Sequence, residues 1–288
     1  MKQTHFFSAH SRLGLINPPH GSSQFNYGVE VAPDFILDKD FLNKFKNISI
    51  DHYYFSKPEK IEKEKYQEVM ARESLAFADL INQKIKNKES QVVIGGDHSV
   101  AFGSVLALLD QCKSEELVYV HFDSHADTSS MADSPSQNFH GQFLRALIDE
   151  NFDHEKLRKL KKNSLLAKNT VIIGNLESDD FDYIKEAGIK YFNGQNTTEI
   201  IETIKKMNID NKHLHVSFDI DVFANDLVSA TGTPNSWGGL NKTQVWPILE
   251  ELNKSNSLSV DLVEVNPKKN GAKETIALAQ EVLLTLLR

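Results

Sequence analysis

Three metal-capable side chains, Asp123, His125 and Asp127, follow an apolar run at residues 117–122 with a spacing of two. In an extended chain, positions two apart share a face, so the three side chains can converge on one point beyond a strand. Carboxylates at the end of a dry strand are costly unless something satisfies them, and a divalent cation is the simplest partner. A second apolar run, 213–218, closes on Asp219 and Asp221 with the same spacing. A third, 92–94, runs into Gly95-Gly96-Asp97-His98-Ser99, where two glycines permit a tight turn and His98 opens a helix.

Together His98, Asp123, His125, Asp127, Asp219 and Asp221 offer two imidazoles and four carboxylates. That set is too large for one closed tetrahedral zinc site. It suits two divalent ions bridged by carboxylates, with Mn²⁺ the natural occupant of an oxygen-rich site. Two such ions can share a solvent molecule and lower its pKa toward neutrality. Glu264, at the end of the run 258–264, is placed to meet a flat cation such as guanidinium with paired hydrogen bonds. His121, His213 and His215 lie deeper in their runs and read as structural, hydrogen-bonded histidines. Neither a G-x-G-x-x-G nor a Walker A pattern is present, so a nucleotide site lacks support.

These residues need a scaffold that delivers strand ends to one place. Short β-rich runs at 12–17, 48–53, 91–94, 117–122, 170–174, 190–192, 213–218 and 258–264 predict strands. Helical stretches alternate with them at 59–85, 100–111, 141–150, 179–187, 198–207, 241–253 and 273–287. Near-continuous apolar strands alternating with helices predict an α/β fold with a mainly parallel sheet covered on both faces. Ligands bind such sheets outside the carboxyl ends of the strands, where the polar clusters occur. No linker or repeat divides the chain, so residues 1–288 read as a single domain.

Net charge is −8, from 40 acidic and 32 basic residues, which argues against nucleic acid or an anionic membrane as partner. The single cysteine, Cys112, excludes an internal disulfide and fits a reducing cytoplasm. The start lacks a signal-peptide apolar region, and no stretch reaches membrane-spanning length. The expectation is a cytoplasmic protein.

Four motifs in this order resemble the ureohydrolases: arginase, agmatinase, formimidoylglutamase and relatives. They are Gly95-Gly96-Asp97-His98-Ser99, Asp123-Ser124-His125-Ala126-Asp127, Ser217-Phe218-Asp219-Ile220-Asp221 and Asp261-Leu262-Val263-Glu264-Val265-Asn266-Pro267. The resemblance implies a three-layer αβα sandwich with an eight-stranded parallel sheet, a binuclear Mn²⁺ centre and a homo-oligomer, trimer or hexamer. It also implies roles. One Mn²⁺ would be held by His98, Asp123, Asp127 and Asp219, the other by His125, Asp123, Asp219 and Asp221. Hydroxide would attack the guanidinium carbon, with Asp127 orienting it and Glu264 holding the substrate.

Within the family, Asn138-Phe139-His140-Gly141-Gln142 is most similar to the arginase substrate loop, whose histidine shuttles a proton. The resemblance assigns that role to His140, and substrate-tail contacts to Ser129, Ser136, Asn138, Asp179 (with Glu177 second) and Thr233. Gln137 replaces the loop glycine, and Ser129 an asparagine. The implied reaction is L-arginine to L-ornithine and urea, with another guanidino or formimidoyl substrate as the alternative. Zinc deacetylases share the general architecture but need one metal site; the second set of ligands argues against them. A non-catalytic member that keeps the metals is the remaining rival.

Overall fold

The computed structural model describes residues 4–15, 26–62, 65–85, 90–134, 136–176, 181–235 and 237–288. The strands are β1 (Thr4–His10), β2 (Ile48–Tyr54), β3 (Ser90–Gly95), β4 (Leu117–Phe122), β5 (Thr170–Ile173), β6 (Lys190–Phe192), β7 (His213–Asp219) and β8 (Leu258–Val263). They form one eight-stranded sheet in the order β2-β1-β3-β8-β7-β4-β5-β6, with every pairing parallel.

Alternation along the strands splits the core in two. Phe6, Val92, Val118, Val120, Val216 and Val260 face one layer, which holds α1 (Ala32–Ile36), α2 (Lys39–Leu42), α8 (Thr197–Lys206), α9 (Lys242–Leu252) and α10 (Ala272–Leu287). Phe7, Val93, Leu117, Tyr119 and Ile172 face the other. That second layer holds α3 (Tyr66–Lys84), α4 (Val100–Gln111), α5 (Phe143–Ile148), α6 (Glu155–Leu160) and α7 (Phe181–Ala187). Each fully buried aliphatic or phenyl side chain contributes about 1.5–3 kcal/mol, so both faces of the sheet must be covered. The result is the expected three-layer α/β sandwich.

Several boundaries differ from the sequence reading. The first strand is β1, not residues 12–17: Phe6 and Phe7 each seal one face, whereas Leu13 and Gly14 form a turn. The Gly14 and Ser11 groups there donate to the Asp97 carboxylate, which pins this segment beneath the site. The helix expected over 59–85 begins at Tyr66, because Pro58–Lys60 forms only a 3-10 turn. The short helices α1 and α2 were not expected; α2 and α6 are capped locally, by Asp38 on the Phe41 N–H and by His154 on the Leu157 N–H. Among the described residues, no helix is long and apolar enough to cross a membrane.

Candidate metal centre and active site

The site lies at the carboxyl ends of four adjacent strands, β3, β8, β7 and β4. His98 follows β3, Glu264 follows β8, Asp219 ends β7 with Asp221 just beyond, and Asp123, His125 and Asp127 follow β4. The side chains do not converge by the pleat, as the period-two spacing predicts. β4 stops at Phe122, and Asp127 adopts a left-handed backbone with φ of 52°. Asp221 sits in a 3-10 turn, where its N–H donates to Asp219 Oδ1 at 2.8 Å. Turns aim Asp127 and Asp221, whereas Asp219 keeps the extended backbone of the end of β7.

His98 Nδ1 lies 2.8 Å from Asp123 Oδ2, 3.1 Å from Asp127 Oδ2 and 3.3 Å from Asp219 Oδ2. His125 Nδ1 lies 3.0 Å from Asp221 Oδ2 and 3.4 Å from Asp123 Oδ1. Despite these distances, His98 Nδ1, Asp123 Oδ2 and Asp221 Oδ2 are buried without a partner in hydrogen-bonding geometry. Their lone pairs crowd shared points instead of facing one another. Among the described residues, two clusters could hold a metal ion: His98, His121, Asp123 and Asp127, and Asp123, His125 and Asp221. Asp123 belongs to both, and the chemistry of the donor set fits divalent cations.

Electrostatics agree. Burial, with the neighbouring Asp221 and Asp123 carboxylates, raises Asp219 well above the usual carboxylate range. Burial and Asp123 push Asp221 up to about 6. Burial would raise Asp123 as well, but the imidazoles of His121, His125 and His98 hold it well below that range. Burial would lower His98 and His125, yet the surrounding carboxylates raise both well above the ordinary imidazole value. Protons here do what an external cation would do better.

A cavity of about 150 Å³ opens over these groups, lined by His98, His125, Asp127 and Asp219 together with Ser129, His140, Thr233 and Glu264. Glu264 also has a left-handed backbone, φ 65°. Non-glycine residues held there cost about 1–3 kcal/mol and mark sites the surrounding structure dictates. Its Oε1 accepts the His98 backbone N–H at 2.9 Å, while Oε2 is buried and unpartnered. A Cβ on Gly232 would stand 1.8 Å from Oε2, so only glycine leaves room for that oxygen. His140 Nδ1 is 3.9 Å from Glu264 Oε1. Burial alone would lower the His140 pKa, but Glu264 raises it above the ordinary value.

The substrate-tail expectations fare unevenly. Ser129 and Thr233 line the cavity, and the Thr233 hydroxyl is buried without a hydrogen-bond partner. Ser136 and Asn138 are not among its lining residues; Ser136 Oγ instead accepts the Asn138 N–H. Glu177 and Asp179 lie outside the described residues. Asp133, which would oppose an acidic substrate if turned inward, is exposed and bonded to Ser130. His213 and His215 are held by Ser257, Ser259 and Asp261, in the structural role expected. His121 is closer to the chemistry than its depth implied, with Nε2 3.1 Å from Asp123 Oδ2. The period-two alignment of His121 with Asp123 was the available signal.

The arginase family model matches residues 12–288. The chain belongs to the arginase family. Among relatives, the arginase of Staphylococcus aureus (strain COL) is 30% identical over 279 residues, covering 88% of this chain and 90% of its own. The mitochondrial arginase-2 of Oryctolagus cuniculus is 29% identical over 304 residues, covering 96% and 84%. The fold is shared with Bacillus subtilis arginase, at TM-score 0.83 and 24% identity over 99% of this chain and 98% of that one. It is shared more distantly with formimidoylglutamase of the same species, at TM-score 0.70 and 17% identity over 100% and 86%. This arginase-family protein is thus a hydrolase of amidine C–N bonds with a candidate His/Asp metal site.

Proposed function

We propose that the protein is a manganese-dependent hydrolase that converts L-arginine to L-ornithine and urea. The observation that carries this is Glu264, a buried carboxylate with an unpartnered Oε2, which lines the same cavity as His98, His125, Asp127 and Asp219. His98, Asp123, Asp127 and Asp219 would hold one Mn²⁺, and His125, Asp123, Asp219 and Asp221 the other. When bound, two such ions supply a nucleophile at neutral pH by acidifying a water they share.

The protein's own groups do the rest. Glu264 pairs with the guanidinium and orients its carbon toward the cluster. Asp127, held in its left-handed turn, orients the attacking water through a hydrogen bond. His140, on the same cavity, carries a proton toward the departing amine, and the elevated pKa imposed by Glu264 keeps that proton available near neutrality. Ser129 and Thr233 present hydroxyls to the substrate's amino-acid end.

The alternative, another guanidino or formimidoyl substrate, is favoured by one observation: Ser136 and Asn138 do not line the cavity. The same reading assigns a homo-oligomer, as the family resemblance implies, and, with the lone Cys112, the cytoplasm. Product release after Mn²⁺ loading tests it, across arginine, agmatine, guanidinobutyrate, guanidinopropionate and formimidoylglutamate, reading urea and formamide. Urea and ornithine from arginine alone support the proposal. Turnover of a different member moves the specificity and keeps the metal chemistry. Two metals bound without any turnover supports a non-catalytic protein.

A further inference from the structure

The strained backbone at Glu264 is braced by the segment Ala230-Thr231-Gly232, which lies alongside it. The Gly232 N–H donates to the Glu264 carbonyl at 2.7 Å, and the Asn266 N–H donates to the Ala230 carbonyl at 2.8 Å. Between them Thr231 pairs antiparallel with Val265. The Glu264 N–H in turn donates to the Gly96 carbonyl at 2.7 Å. One side chain from further along the chain closes this arrangement. Lys269 Nζ donates to the Thr231 carbonyl at 2.6 Å and to the Gly232 carbonyl at 3.1 Å.

Those two bonds fix the peptides on either side of Gly232, the residue that packs against the Glu264 carboxylate. The fit there is tight enough that a single added carbon would collide with Oε2. Any drift of Gly232 toward Glu264 therefore takes the room that Oε2 occupies. An ammonium suits the task, since its three N–H groups can meet two carbonyls from one atom, each bond strengthened by the charge. Burial pushes the Lys269 pKa down, and the Glu264 carboxylate acts in the opposite sense, so the two charges feel one another. Yet Lys269 directs these bonds to backbone carbonyls, and Glu264 Oε2 stays without a hydrogen-bond partner.

We propose that Lys269 is a positioning residue for substrate binding: by clamping the Thr231 and Gly232 carbonyls it sets the place of the Glu264 carboxylate that meets the guanidino group. Lys269 is not among the residues lining the cavity, so it acts through Glu264 and not on the substrate directly. Glu264 holds the substrate before and during the reaction. Loosening it should weaken binding and leave the chemical step nearly as fast. The inference rests on the substrate reading above.

The test compares the Mn²⁺-loaded unaltered protein with Lys269→Met, Lys269→Arg, Glu264→Gln and the double variant of Lys269→Met and Glu264→Gln. It reads steady-state kinetics and calorimetric binding of L-arginine, together with bound metal. Lys269→Met should raise KM about 10-fold, the scale of a lost charge-assisted hydrogen bond, with metal content unchanged. Its kcat should stay within about twofold. Lys269→Arg, which can also donate to two carbonyls, should recover KM to within about threefold. In the Glu264→Gln background the effect of Lys269→Met should shrink to about twofold or less, because the carboxylate it positions is gone. Three results overturn the proposal: an unchanged KM in Lys269→Met, a loss of kcat and metal content in place of the KM effect, or an undiminished effect in the double variant. Should Lys269→Met fail to fold, Lys269→Gln, which keeps a polar end and loses the charge, is read against the same outcomes. An unaltered protein that neither binds nor turns over arginine overturns the substrate reading, and this inference with it.

Discussion

Glu264 and His98 are tied together across two strand ends: Glu264 Oε1 accepts the His98 backbone N–H at 2.9 Å. The bond fixes the carboxylate at the cavity wall, and the absent side chain at Gly232 leaves room for the buried Oε2. Replacing Glu264 by Gln keeps the shape and removes the charge that a guanidinium requires. Glu264→Gln should retain its bound metal and lose about 10²-fold in kcat/KM, the scale of a charge-assisted hydrogen bond of about 1.5–3 kcal/mol. Steady-state kinetics alongside metal analysis checks this. Unchanged kcat/KM would remove Glu264 from the substrate site.

Asp219 gives the clearest separation of stability from function. Its carboxylate is crowded by Asp221 and Asp123, and burial raises its pKa further. Asp219→Asn removes that repulsion at nearly constant volume. The metal-free variant should melt no lower than the unaltered protein, and about 2–4 °C higher if roughly 1 kcal/mol of repulsion is relieved. Metal-induced stabilisation and turnover should both fall sharply. Calorimetry with and without Mn²⁺ makes the comparison, and a variant that keeps full metal-induced stabilisation would exclude Asp219 as a ligand.

The parts of this fold legible in the sequence were those set by short-range pattern. Leu117–Phe122 begins and ends where its β-rich run does, because burial on both faces needs an uninterrupted run; the half-buried edge strand Lys190–Phe192 also keeps its expected bounds. β1 was less visible because His5, Ser8 and His10 interrupt its run, and their burial depends on partners such as Asp51 and Glu30 far along the chain. At the site, residue types and spacing exposed the carboxylates of Asp123, Asp127, Asp219 and Asp221. They did not expose the left-handed turn at Asp127, or how close His121 Nε2 comes to Asp123 Oδ2, at 3.1 Å. Ser136 and Asn138 matched a loop by wording, while the cavity is lined by Ser129 and Thr233.

The protonation pattern predicts how the metal-free protein responds to pH. His98, His125, His140, Asp219 and Asp221 have folded pKa values above their ordinary ones, Asp221 at about 6, whereas Asp123 alone in the cluster is lowered. A raised group holds more protons folded than unfolded, so its stabilisation is complete below its unfolded pKa and is lost as pH rises through the folded one. For Asp221 the loss runs from its ordinary value of 3.8 up to about pH 6, and for the histidines it comes above pH 6.5. Asp123 acts in the opposite sense only in acid, near and below its ordinary value of 3.8. The metal-free melting temperature should therefore fall from pH 6 to pH 8. Mn²⁺, which displaces those protons, should raise it more at pH 8. A metal-free protein equally stable across that interval would contradict the charge arrangement described.

Gln137 sits in the loop leading to His140 with φ of 56°, a left-handed backbone held by its N–H donating to Ser134. The resemblance places a glycine at this position, and the geometry explains why one fits. A side chain there costs about 1–2 kcal/mol, while glycine gives back about 0.5–1 kcal/mol in unfolded-chain entropy. Gln137→Gly should raise stability by roughly 0.5–1 kcal/mol in denaturant unfolding, the difference between those two costs. Gln137 is exposed and the cavity is lined by other residues, so kcat should not move. A change in KM for arginine at constant kcat would show that the Gln137 side chain reaches the substrate's amino-acid end, and would make this position a determinant of substrate choice.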